Sequence, residues 1–278
     1  MLELDRYNER MKGFYIGSLY ISWYGVIIAF AMIVAIFLCV PNCKKRDLKI
    51  DNIVSLALWV IPFAIIGARL YYVIFYTHDY TFVEALRIWD GGMAIYGGVI
   101  AGAIVVVVWC LIKKKDISKT MDVIAPSVLL AQAIGRIGCY FSSCCYGIEV
   151  TNEKLMWFPL STQIDGVWHL STFFYESLWN LVGFAILMIL LYFIKQRGVV
   201  VSGYLIWYGI GRAWIEGLRG DSLYLWGTGI RVSQLLSILI VVGGLVWLGI
   251  IIYKDIIRKK YHINKGDKNG ARKEQSSK

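Results

Sequence analysis

Histidine is scarce in this chain, with 3 in 278 residues, and no His-Glu-x-x-His pair occurs. That speaks against a zinc hydrolase built on paired helical histidines. His78 and His262 sit in polar stretches and read as incidental. Charge is scarce too, at 17% of residues, where soluble domains carry about 25%. No polar stretch is long enough for a second, soluble domain, and no strong internal repeat is visible. The 6 cysteines include Cys139, Cys144 and Cys145, whose spacing is not a recognised zinc pattern. Neither a metal nor a cofactor is expected. A disulfide from Cys139 to one of its neighbours and free thiols packed as small hydrophobes both stay open.

Apolar residues, by contrast, make up 58% of the chain, and the mean hydropathy is +0.60. Both point to a polytopic membrane protein. Apolar runs near 19–41, 53–76, 93–112, 121–141, 172–194, 200–217 and 231–253 predict about seven spans, each near the ~20 residues a bilayer requires. The expected fold class is an all-α membrane protein, its helices set around a central lipid cavity. Residues 1–18 read as a short interfacial helix. Residues 142–171 carry the turn signals Asn152, Pro159, Asp165 and Gly166 and predict a small extracytoplasmic cap. The division is then one transmembrane domain, 1–258, and a basic, disordered tail, 259–278. The first apolar run is long and no small-residue cleavage site follows it before Lys44, so it does not read as a cleaved signal peptide.

A net charge of +10 raises nucleic acid as a partner, but its distribution argues against one. Basic residues cluster after alternate spans, at Lys44–Lys49, Lys113–Lys119, Lys195–Arg197 and in the tail from Lys254. That is the pattern of cytoplasmic loops lying against an anionic leaflet. It places the N-terminus outside and the C-terminus in the cytoplasm.

Ala131–Gly147 then becomes the centre of interest. Arg136 stands between Gly135 and Gly138 near the end of an apolar run, where a charge costs roughly 2.5–3.5 kcal/mol. Two readings stand. One is a guanidinium gripping a phosphate by paired hydrogen bonds; the other is a snorkelling or salt-bridged strut. Arg69, Arg212 and Arg231 lie similarly in or beside apolar runs. Arg212 and Glu216 share a helix face at i,i+4, either as a self-neutralising pair or as a carboxylate aiming a guanidinium at a ligand. Arg69 reads as a second phosphate ligand or an interfacial anchor. Tyr24 and Tyr208 lie within spans, where a buried hydroxyl requires a partner. Gly97 and Gly98 follow Tyr96 in Gly91-Gly-Met-Ala-Ile-Tyr-Gly-Gly98. Small-residue helix packing explains the glycines but not the tyrosine.

Seven ordered stretches together resemble the phosphatidylglycerol–prolipoprotein diacylglyceryl transferases of bacteria. They are Ser22–Gly25, Gly67–Leu70, Trp89–Gly98, Gly135–Gly138, His169–Glu176, Tyr208–Arg219 and Arg231–Gln234. The resemblance implies transfer of the diacylglyceryl group of phosphatidylglycerol to the lipobox cysteine of a preprolipoprotein. It also implies release of glycerol phosphate at the outer face of the cytoplasmic membrane. By that resemblance Arg136 matches the signature arginine that binds phosphatidylglycerol, and Arg212 and Glu216 match an essential pair. Tyr24 and Tyr208 match cavity tyrosines. Tyr96 stands where many members carry a histidine proposed as base. The signature's two asparagines and glutamate are replaced here by Cys139, Ser142 and Cys144, among others. A lipid transferase with another acceptor and a lipid transporter or flippase are the competing functions. Transporters often carry repeats and broken helices, and neither is evident.

Overall fold

The computed structural model describes residues 12–17, 19–76, 92–220 and 231–275. Among them are seven long helices: α1 (Trp23–Lys45), α2 (Ile50–Tyr76), α3 (Ile95–Ile112), α4 (Ile117–Phe141), α5 (Thr172–Phe193), α6 (Val199–Gly217) and α7 (Val232–Gln275). Six are long and apolar enough to cross a membrane by length and composition. The exception is α6, which carries Arg212 and Glu216 in its last turns. Large apolar side chains such as Phe37, Leu58, Ile112 and Phe193 are exposed on the outside of the bundle. That is the surface a lipid solvent requires. The fold is therefore the expected all-α polytopic bundle, with only small sheets.

The central element is α4. Half of its most apolar stretch is buried, against 11% for α1 and for α7. It packs on α1, α5 and α6, while α2 pairs with α3 and α6 with α7. Small residues permit these close approaches. A Cβ on Gly67 would lie 2.4 Å from the Ala101 Cβ and 2.7 Å from the Gly97 carbonyl oxygen, so α2 and α3 meet almost backbone to backbone. Prolines 41, 62 and 126 lie inside helices, as bundle neighbours allow in membrane spans.

The basic-loop end of the bundle is tied by a buried carboxylate. Asp122 on α4 accepts the backbone N–H of Gly198 at 2.8 Å and of Val201 at 2.9 Å. It thereby caps the N-terminus of α6, where a negative charge is favoured. Arg46 lies 3.5 Å from the same carboxylate and donates to the Lys195 carbonyl at 3.0 Å.

At the opposite end, residues 142–171 cover the bundle with a hairpin of β3 (Ser161–Ile164) and β4 (Val167–Leu170). Ile148 donates to Leu218 at 3.0 Å and Gly147 to Leu170 at 2.8 Å, docking the cap on the end of α6. Two expectations are corrected. Part of the segment read as an interfacial helix is a hairpin of β1 (Gly13–Ile16) and β2 (Leu19–Ser22), with Tyr15 paired to Tyr20. The tail read as disordered continues α7 to Gln275. His78 and Trp89–Gly91 lie outside the described residues.

Candidate active site

A cavity of about 410 Å³ opens among α1, α2, α3 and α4. Its walls are almost wholly apolar, with Ile28, Leu56, Val60 and Val106 among them. Polar groups gather at one end: Tyr24, Gln132, Arg136, Glu176 and Tyr208. A long apolar chamber with a guanidinium at its head matches an amphiphile carrying an anion.

Helix packing puts Arg136 there. Cβ atoms on its flanking glycines would touch α1: Gly135 would meet Ile28 at 3.1 Å and Gly138 would meet the Tyr24 ring at 3.0 Å. The two glycines thus seat α1 against α4 and hold Tyr24 beside the arginine. Gly135 also lines the cavity.

Arg136 heads a chain of charges. Its Nη2 lies 2.6 Å from Oε1 of Glu176. Oε2 of Glu176 is 3.5 Å from Arg212 Nη1, and Arg212 Nη2 is 2.8 Å from Glu216. Arg231 donates to the Glu216 carbonyl, anchoring the far end. The expected Arg212–Glu216 pair exists, but neither residue lines the cavity; Arg212 reaches it through Glu176. Glu176 is the residue that reading the sequence underrated. The available signal was an acidic residue inside the apolar run of α5, a position that demands a cationic partner.

The other candidates separate. Tyr208 lines the cavity and stacks on Tyr204, whose hydroxyl accepts from Gln132 at 3.0 Å. Tyr96 is half-buried at the start of α3 and within electrostatic reach of Tyr208, but it is not a wall of the cavity. Arg69 is 5% exposed. It donates to the Gly92 carbonyl at 3.0 Å beside the Tyr72 ring, outside the cavity wall. Gly97 and Gly98 pack against α2, where a Cβ on Gly97 would lie 2.2 Å from the Gly67 oxygen. His169 faces the Gly147 carbonyl at 3.2 Å, and its ring lies 4.7 Å from that of Tyr146 at a tilt of 52°.

Next to Arg136 stand the three thiols. Cys139, Cys144 and Cys145 bring their sulfurs within 4.8 Å of one another. Arg136 Nη1 donates to Cys145 Sγ at 3.4 Å. The neighbouring Cys139 and Cys144 thiols, with the charges of Arg136 and Arg219, lower the pKa of the Cys145 thiol despite its burial. All three are free cysteines.

Comparison with known proteins is decisive at this point. The profile of the family described as prolipoprotein diacylglyceryl transferase matches residues 12–250. The chain belongs to that family. A Clostridium perfringens protein named phosphatidylglycerol–prolipoprotein diacylglyceryl transferase 1 is 43% identical over 254 residues, covering 89% of this chain and 96% of its own. A Listeria monocytogenes transferase of the same name is 44% identical over 247 residues, 86% and 87% of the two chains. One from Streptococcus agalactiae is 41% identical over 255 residues, 90% and 96% of the two chains. The match to the diacylglyceryl transferase family takes in all the clustered site residues, from Tyr24 to Arg231.

Proposed function

We propose that this protein transfers the diacylglyceryl group of phosphatidylglycerol to the thiol of a lipobox cysteine in a prolipoprotein. The observation that carries the reading is Arg136 at the polar head of an otherwise apolar cavity. The acyl chains occupy the apolar walls. The slight packing between α1 and α2, compared with that between α1 and α4, gives the lipid a lateral way in.

The chemistry follows from the charges. The substrate thiolate attacks the glycerol carbon, a C–S bond forms, and the C–O bond to phosphate breaks. The electron pair leaves with the phosphate oxygen. A guanidinium has five donors, so Arg136 can hold Glu176 and still meet the phosphate. Its charge offsets what accumulates on the leaving oxygen. Glu176 and Glu216 fix Arg136 and Arg212 in place, so little reorganisation accompanies the reaction. Tyr24 and Tyr208 supply hydroxyls at the same end. Tyr96 serves as a hydrogen-bond donor or proton relay rather than as a base.

The site lies at the end opposite the basic loops, which supports an outer-leaflet reaction in a bacterial cytoplasmic membrane with the C-terminus inside. The test is incubation of purified protein with labelled phosphatidylglycerol and a lipobox peptide. Labelled thioether product is the expected result. A cysteine-free peptide labelled equally well, or lipid moved between leaflets with no product, would favour another acceptor or a flippase.

A further inference from the structure

Among the described residues, Cys139, Cys144 and Cys145 are the one group of three or more Cys, His, Asp or Glu residues placed to share an ion. The chain is folded to bring them together. Cys139 is in the last turn of α4, and the Cys144 N–H returns to its carbonyl at 3.1 Å. Ser143 and Cys145 both take positive φ, 48° and 59°, a conformation that costs non-glycine residues free energy and is kept only where surroundings enforce it. Thr172 enforces it by donating to the Cys145 carbonyl at 2.7 Å. The result is three sulfurs on one small patch, all within 4.8 Å.

We propose that this patch binds a thiophilic divalent cation of the zinc class through three thiolates, and that the fourth ligand position takes the thiol of the acceptor peptide. Tetrahedral zinc–thiolate bonds of about 2.3 Å set sulfurs ~3.8 Å apart, which the observed spacing accommodates with small side-chain rotations. Three thiolates and a divalent ion carry one net negative charge. Arg136, 3.4 Å from Cys145, sits where that charge is balanced. Access exists on two sides. Cys139 lines the large cavity, and with Cys144 it also lines a second cavity of about 230 Å³ under the cap.

The proposal rests on the transferase reading and supplies what that reading lacks, a source of thiolate. A free thiol near pKa 8.5 is only a few per cent ionised at neutral pH, whereas a metal-bound thiol is deprotonated outright. The acceptor proton passes to solvent as its sulfur binds the cation. The sulfur then uses its electron pair to form the C–S bond, and the phosphate oxygen leaves with the C–O pair and takes up a proton. The cation is unchanged. A thiol held beside Cys145 is also one side chain from the guanidinium that grips the phosphate.

The first test needs neither lipid nor turnover. The full-length protein, purified in detergent and freed of metal by a chelator, is titrated with Co²⁺. A sulfur-to-cobalt absorption band saturating at about one equivalent per chain, and lost in the triple Cys→Ser variant, is expected. No band, or an equal band in the variant, overturns the site. The second test uses wild-type protein alone, loaded with Zn²⁺, and counts sulfur ligands by X-ray absorption. Three are expected without peptide, four with a lipobox peptide and three with its Cys→Ser form. A count that the cysteine peptide leaves unchanged overturns the acceptor role. Both readouts stand whether or not phosphatidylglycerol proves to be the donor.

Discussion

At the scale of single residues, geometry separates side chains that look alike in sequence. Arg69, Arg136 and Arg212 all read as intramembrane guanidinium groups, yet only Arg136 lines the cavity. Arg136→Lys should therefore be nearly as damaging as Arg136→Ala. Lysine keeps the charge but loses the fork that spans Glu176, Cys145 and an incoming phosphate. Losing a buried charge contact costs about 2–5 kcal/mol, and each 1.36 kcal/mol is about tenfold in rate. The expected loss is roughly 30-fold to several thousandfold in transfer rate at matched protein level. A lysine variant near wild type would reduce Arg136 to a source of potential. Glu176→Gln tests the next link. It removes the carboxylate shared by Arg136 and Arg212, so turnover should fall by about tenfold or more while membrane insertion persists. Normal turnover would mean the two guanidinium groups hold themselves. For Tyr96, His should retain much activity and Phe should not; equal rates for Phe and Tyr would make the residue a packing group. Arg136 was legible because a charge between glycines in an apolar run is conspicuous. Glu176 was not, because its partners lie on other helices and no spacing rule connects them.

Among the helices, one contact governs how that charge chain is held. Trp179 on α5 and Trp207 on α6 stack at 4.4 Å, and each indole donates to the other's backbone carbonyl, at 3.1 and 3.0 Å. Each ring also fills the space over a glycine of the other helix. A Cβ on Gly183 or Gly211 would lie 2.2 Å from the opposing Nε1. This reciprocal clasp fixes α5 against α6 one turn from Glu176 and Arg212. Gly211→Ala should cost about 1–3 kcal/mol by overpacking and lower activity along with thermal stability in detergent. Unchanged melting would show that the clasp has slack. Six of the seven expected spans were legible from apolar length; the seventh, α6, is a helix whose charged last turns keep it below that measure. The N-terminal hairpin was not, since a short strand pair has no helical period to contradict the helix reading. The glycine pairs were legible as packing sites, but only coordinates say which helix each one receives.

At the scale of the whole molecule, two buried ionic groups occupy the two ends of the same helices. Asp122 and Arg136 are separated by 14 positions on α4, about 21 Å along the axis. The first group, Arg46 with Asp122 and the N-terminus of α6, does not line the cavity: its carboxylate is fully buried and accepts backbone N–H groups. The second group faces the cavity through Arg136 and Glu176. Both ends need charge inside an apolar bundle, but for different reasons. The Asp122 group holds α4 to α6 and the loop ends, and the Arg136 group stands at the head of the cavity. Asp122→Asn keeps the shape, removes the charge, and leaves Arg46 without its ionic partner. Breaking a buried pair in this way costs about 3–5 kcal/mol, so the amount of folded protein and its melting temperature should drop. Transfer per folded molecule should stay within about twofold, well short of the 1.36 kcal/mol that makes a tenfold change. Glu176→Gln should give the opposite pattern, with folding kept and turnover lost. Measuring folded fraction and turnover on the two variants side by side checks the division. If Asp122→Asn lost turnover without losing folded protein, the ends would be coupled through α4 and α6, and the Asp122 clamp would belong to the catalytic apparatus.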